Sequence, residues 1–135
     1  MSLQPDLNIQ SRSFLVIDDE PFIQTLVVRL LRQMGATAVA TAANGVEALA
    51  HLDGAHPQPD VLLIDLTMPE MGGVELMRHL ADRGYKGAVI LVSGADPETL
   101  AIAEGMAKYR DTNVLGFITK PVKPDTLRDM LAKID

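Results

Sequence analysis

Apolar residues fall along the chain in short unbroken runs, separated by longer stretches in which they recur at helical spacing. Ser13 to Ile17, Val61 to Ile64 and Ala88 to Val92 are the clearest runs. Runs of this length without polar alternation suit strands in the middle of a parallel sheet, covered on both faces. Thr37 to Thr41 is a weaker strand of small and β-branched residues, and Val114 to Thr119 makes a fifth. Pro21 suits the first turn of a helix whose apolar residues, Ile23, Leu26, Val27, Leu30 and Met34, recur until Gly35 supplies a stop. Asn44 can cap a second helix running through Val46, Leu49, Ala50 and Leu52, and Gly54 to Pro59 breaks it. Gly72-Gly73 precede a third through Val74, Leu76, Met77, Leu80 and Ala81, closed by Gly84. Asp96-Pro97-Glu98 starts a fourth, continued by Leu100, Ala103, Glu104 and Ala107. Asp125 to Ile134 is a fifth, with Leu127, Met130, Leu131 and Ile134 facing inward. Met34, Met77 and Met130 lie on apolar faces and read as core filling.

Five strands alternating with five helices predict an α/β fold: a single doubly wound (βα)5 domain, flavodoxin-like, with a five-stranded parallel sheet in the order 2-1-3-4-5. Residues 1–12 carry no period and read as a flexible leader; residues 13–135 form the domain. Ligands of such sheets bind beyond the carboxyl ends of the strands, where the strand order reverses between the first and third strands. Acids gather at that place. Asp18, Asp19 and Glu20 end the first strand, and Asp65 ends the apolar run of the third, with Pro69 soon after to stop the strand from continuing centrally.

Composition narrows the function. The chain has 135 residues, 47% hydrophobic and 22% charged, which is ordinary for one folded domain and unlike a disordered segment. A net charge of −6 argues against a nucleic-acid-binding surface in this domain, which needs clustered basic residues. The absence of cysteine removes disulfides, thiol catalysis and zinc-thiolate sites. No apolar run approaches a membrane span, and the polar N-terminus has no signal-peptide core, so a cytoplasmic protein is expected.

Three carboxylates brought together repel by roughly 4 kcal/mol per pair at 4 Å and an effective dielectric of 20. A hard divalent cation, Mg²⁺ above all, relieves that repulsion, and Mg²⁺ pairs one or two carboxylates with waters and a phosphate. Lys120, after the fifth strand, can neutralise a phosphoryl oxygen, and Ser93, at the end of the fourth, can donate a hydrogen bond to one. Asp65 is left as the nucleophile, forming an acyl phosphate. Taken singly, each residue also has a plain reading: Asp18 and Asp19 as helix-start charges, Ser93-Gly94 as a turn, Lys120 as a solvated cation. His51, His56 and His79 have no metal-ligand spacing.

Together, Ile17-Asp18-Asp19-Glu20-Pro21, the Asp60 to Gly73 segment with its Asp-Leu-Thr-Met-Pro-Glu-Met-Gly-Gly, Ser93-Gly94 and Lys120-Pro121 resemble the receiver domain of two-component response regulators, of the chemotaxis-regulator kind. The resemblance spans residues 13 to 134. It implies Asp65 as phosphoacceptor, Mg²⁺ held by Asp18, Asp19, Asp65 and the Thr67 backbone carbonyl, Ser93 as switch hydroxyl, Lys120 on the phosphoryl group, and a cis Lys120-Pro121 bond. It implies Phe117 as a switch aromatic that biases a surface of the fourth helix, fifth strand and fifth helix, although a strand aromatic also packs as plain core. It implies a histidine kinase or histidine phosphotransfer protein as donor, a downstream effector domain or protein, and a possible dimer through that same surface. Such a domain catalyses its own phosphorylation and slow dephosphorylation and is otherwise not an enzyme. Thr67 and Ala95 flank the family's water path without a carboxylate or amide, so fast dephosphorylation is not expected. The segment 94–116 is longer than in the usual receiver, which implies an enlarged fourth helix or trailing loop; similar lengths occur beside cyclic-diguanylate phosphodiesterase domains.

Two other functions fit parts of the pattern. A Mg²⁺-dependent phosphatase or phosphotransferase with an aspartyl nucleophile shares the acids, but usually needs an inserted cap for which the chain is too short. A pseudo-receiver that works without phosphorylation would not need the complete acid, hydroxyl and lysine set. A flavodoxin-like cofactor carrier would need a Gly/Ser/Thr phosphate loop where this chain is acidic.

Overall fold

The computed structural model describes residues 7–54, 57–68, 71–94, 96–106 and 112–134, and in them each apolar run is a strand. These are β1 (Ser13–Ile17), β2 (Ala38–Ala42), β3 (Val61–Asp65), β4 (Ala88–Ser93) and β5 (Asn113–Thr119). All neighbours pair in parallel, in the order β2-β1-β3-β4-β5. The helices between them are α1 (Pro21–Gln33), α2 (Gly45–Gly54), α3 (Gly73–Asp82), α4 (Pro97–Met106) and α5 (Pro124–Leu131).

The runs lack polar alternation because both faces of the sheet are covered. Phe14, Val16, Val61, Leu63 and Ile90 pack against Val27, Leu30 and Leu31 of α1 and Leu127, Met130 and Leu131 of α5. The alternate residues, Leu15, Ile17, Leu62, Ile64 and Leu91, pack against Leu49 and Leu52 of α2 and Leu76, Met77 and Leu80 of α3. Each large side chain so buried contributes roughly 1.5–3 kcal/mol. The helix starts follow the sequence signals. Asn44 Oδ1 accepts from the Glu47 N–H at 2.8 Å while Glu47 Oε1 accepts from the Ala43 N–H at 3.0 Å. Asp96 Oδ2 accepts from the Thr99 N–H at 3.0 Å and hydroxyl at 2.7 Å. Met34, Met77 and Met130 are buried as expected.

Several details differ from the sequence expectations. Within the expected leader, Leu7–Gln10 forms a helical turn and Ile9 is buried in the α1/α5 layer; apolar residues this sparse in a polar stretch carry no period to read. Val46 and Val74, placed on the apolar pattern of their helices, are exposed in the first turns of α2 and α3. Part of the extra length before Phe117 is a bulge in β5. Val89 pairs with Val114 and Ile90 with Gly116, leaving Leu115 over. The extra residue resets the alternation. Val114 and Phe117, three apart, both pack on the α2/α3 layer, while Leu115 and Ile118 pack on the α1/α5 layer. Ala107 and the rest of segment 107–111, on which an enlarged fourth helix depends, lie outside the described residues, as do His56, Pro69 and Ala95.

Candidate functional site

Four strand ends build the site. β1 ends in Ile17, so Asp18 and Asp19 lie just beyond it, and the Asp18 N–H donates to the Ala42 carbonyl of β2 at 3.0 Å. Gln24, one turn into α1, donates from Nε2 to the carbonyls of Asp18 at 2.6 Å and Ala42 at 3.1 Å, which fixes the turn that carries the acids. β3 ends in Asp65 itself, and the next residue remains tied to the sheet by the Leu66 N–H on the Val92 carbonyl at 2.9 Å. β4 and β5 end side by side in Ser93 and Thr119, and the Lys120 N–H donates to the Ser93 carbonyl at 2.8 Å. The Lys120-Pro121 peptide is cis.

These strand ends bring Asp18, Asp19 and Asp65 together, with one carboxylate oxygen of each within 4.8 Å of the others. Asp18 and Asp65 are buried and Asp19 is half-buried. Lys120 Nζ reaches all the way in: it lies 3.4 Å from Asp65 Oδ2, 3.6 Å from Asp18 Oδ2 and 3.3 Å from Glu20 Oε1. The other Asp65 oxygen, Oδ1, accepts from the Thr67 N–H and hydroxyl, both at 3.1 Å. Ser93 Oγ is fully buried and has no hydrogen-bond partner among the described residues. A buried hydroxyl left unpaired costs about 1–3 kcal/mol, which marks it as a donor awaiting a partner.

The electrostatics follow from this crowding. Burial, with Asp65 and Asp19 adding repulsion, raises Asp18 from 3.8 to about 6, against the opposing pull of the Glu20 N–H, 2.9 Å from its Oδ1, and of Lys120. Burial works to lower the Lys120 pKa, but the attraction of Asp65, Asp18 and Glu20 outweighs it and the net direction is up. A cluster that pushes a carboxyl up while holding a lysine charged has an excess of acid over base. An all-oxygen set of this kind fits a hard divalent cation.

The loop after Asp65 is held by close packing. Gly73 begins α3 so near Leu66 that a Cβ there would lie 2.5 Å from Leu66 Cδ2 and 2.9 Å from Leu66 Cα. Nearby, Met71 at φ 43° lies against Gly45 at the start of α2, where a Cβ would meet its Cγ and Sδ at 2.7 Å. Gly73→Ala should therefore displace the backbone beside Asp65. Urea unfolding should find it destabilised by about 1–3 kcal/mol, and Mg²⁺ titration should find weaker binding.

Residues 14–132 match the family model described as the response regulator receiver domain. The chain belongs to this family. The receiver is 29% identical over 119 residues to the chemotaxis protein CheY of Listeria monocytogenes, covering 88% of this chain and 94% of that one. It is 31% identical over 128 residues to the cyclic di-GMP phosphodiesterase RocR of Pseudomonas aeruginosa, covering 95% of this chain but 31% of that longer protein. A solved receiver domain structure from Clostridium thermocellum superposes with a TM-score of 0.76 at 27% identity, covering 90% of this chain and 91% of the other. The chain is thus a receiver domain of the two-component signalling type, and the acid cluster is compatible with phosphorylation and Mg²⁺ binding. No helix of the described residues is long and apolar enough to cross a membrane.

Sequence reasoning missed how fully two residues engage the receiver's site. The resemblance implies a role only for the backbone carbonyl of Thr67 at the metal; in addition its N–H and hydroxyl both donate to Asp65. Glu20 was visible as a third acid after β1, but its partner is Lys120, 100 positions away, and no local pattern announces such a pair. Phe117 is half-buried on the α2/α3 layer.

Proposed function

We propose that Asp65 is the phosphoacceptor, that Asp18, Asp19, Asp65 and the Thr67 backbone carbonyl hold Mg²⁺, and that the donor is a histidine kinase or histidine phosphotransfer protein in the cytoplasm. The observation that carries the reading is the convergence of three carboxylates and one ammonium at the ends of β1, β3 and β5.

An Asp65 carboxylate oxygen forms the new P–O bond as the donor's P–N bond breaks, and the donor ring, protonated on its other nitrogen, leaves as neutral imidazole. Lys120 Nζ, already against Asp65, supplies a donor to a phosphoryl oxygen as charge builds on it. When bound, the cation would supply charge neutralisation for the carboxylates and the transferring group. Ser93 Oγ, unpaired at rest, gains a phosphoryl oxygen as partner. Its displacement then offers Phe117, across the sheet from the α1/α5 layer, a second position, which biases the α4–β5–α5 surface toward a downstream effector domain, an effector protein or a second copy. Dephosphorylation is slow and self-catalysed, because Thr67 offers a hydroxyl where a carboxylate or amide would orient water.

Incubation with Mg²⁺ and a small phosphodonor tests this. The expected product is one phosphoryl group per chain, stable in acid, labile in base, and absent without Mg²⁺. Many turnovers on phosphomonoesters would instead make the protein a phosphatase.

A further inference from the structure

Glu20 is the acid of this cluster to which the reaction just described gives no part. It stands at the N-cap of α1, yet its side chain makes no capping bond. Its Oε1 lies instead 3.3 Å from Lys120 Nζ. Its side chain is 58% exposed, whereas those of Asp18 and Asp65 are 4% and 1% exposed. Of the three carboxylates on the ammonium, Glu20 is therefore the one at the mouth.

Charge counting shows what it does there. Among the described residues, Asp18, Asp19, Glu20 and Asp65 face a single ammonium, Lys120. A bound divalent cation cancels two of the remaining three negative charges, and one is left over. The inner three acids are required to hold the cation and to react; Glu20 is required for neither. It is also the carboxylate an arriving phosphoryl group meets first, and the one Lys120 can release most cheaply when a donor oxygen takes its place.

We propose that Glu20 is a charge gate, a specificity-determining residue that disfavours dianionic phosphodonors relative to less charged ones. This rests on Asp65 as the acceptor. At roughly 7 Å in water-like surroundings, one carboxylate slows an approaching donor about two- to threefold per unit of donor charge. The effect fades once the screening length falls to about 3–4 Å near molar salt.

The test compares initial phosphorylation rates with acetyl phosphate, a dianion, and phosphoramidate, which carries less charge, for the native chain, Glu20→Gln and Glu20→Lys in Mg²⁺. At low salt the acetyl phosphate to phosphoramidate rate ratio should rise about two- to threefold in Glu20→Gln and further in Glu20→Lys, and near molar salt all three should converge. A ratio that stays flat while both rates change together would overturn the gate and leave Glu20 as a mere holder of Lys120. If the native chain reacts and the ratio is flat, the gate alone falls. If none of the three proteins gains a phosphoryl group from either donor, the Asp65 reading falls and takes the gate with it.

Discussion

Lys120→Ala is expected to lower the stability of the domain by about 2–4 kcal/mol near neutral pH without Mg²⁺, toward the range for breaking a buried ion pair. The reason is the company Lys120 keeps. Its ammonium is the shared partner of Asp65, Asp18 and Glu20, and two of those acids are almost wholly out of water. Without it the buried carboxylates face one another with no opposite charge between them among the described residues. Acidification should shrink the deficit, since protonation removes the repulsion that Lys120 offsets. Phosphorylation by a small donor should slow on the order of a hundredfold, as for loss of a preorganised donor to a developing oxyanion. Urea unfolding at two pH values, with rate measurements in Mg²⁺, checks both parts. Equal stability of variant and native protein near neutral pH would contradict the charge balance described here.

Asp18→Asn should have the opposite effect on stability. Asp18 titrates at about 6 in the folded chain against 3.8 ordinarily, chiefly because it is buried. A raised folded pKa stabilises the fold below the unfolded value, and that contribution disappears as pH rises through the folded one. The native chain should therefore lose about 2–2.5 kcal/mol from this residue between pH 4 and pH 7 in the absence of Mg²⁺. Asparagine keeps the oxygen that accepts from the Glu20 N–H and never ionises. The variant should match the native chain near pH 4 and exceed it by about 2–3 kcal/mol near pH 7. It should also bind Mg²⁺ at least tenfold more weakly. In the native chain, Mg²⁺ affinity should fall about tenfold per pH unit below 6, because the proton on Asp18 must leave first. Chemical denaturation and Mg²⁺ titration across this pH range separate the two effects. The site would then be seen to trade stability for function.

The fold was legible because its central strands are short and apolar and its helices are punctuated. Val61 to Ile64 and Ala88 to Val92 admit few readings besides buried parallel strands, and Pro21, Asn44, Gly84 and Asp96 stand within a residue or two of the ends they mark. Boundaries slipped where the signal is weak: β2, of small residues, begins at Ala38 rather than Thr37, and α5 begins at Pro124. The acids and lysine at the strand ends were legible as a set, because topology alone joins Asp18 and Asp19 to Asp65. Contacts that depend on side-chain reach were not. The bond from the Thr67 hydroxyl, the Glu20 pair with Lys120, the Met71 contact with Gly45 and the bulge that turns Phe117 toward α2 and α3 all follow from packing between elements far apart in sequence, and no periodicity encodes them.

The central claim is that the chemistry occurs on one carboxylate. Borohydride reduces an acyl phosphate on aspartate to homoserine, so treating the phosphorylated protein with it and sequencing the peptides by mass spectrometry locates the modified residue directly. The expected result is homoserine at position 65 alone, with none in Asp65→Asn. Reduction at Asp18, Asp19 or any other carboxylate of the native chain, or an adduct that persists in Asp65→Asn, would contradict it.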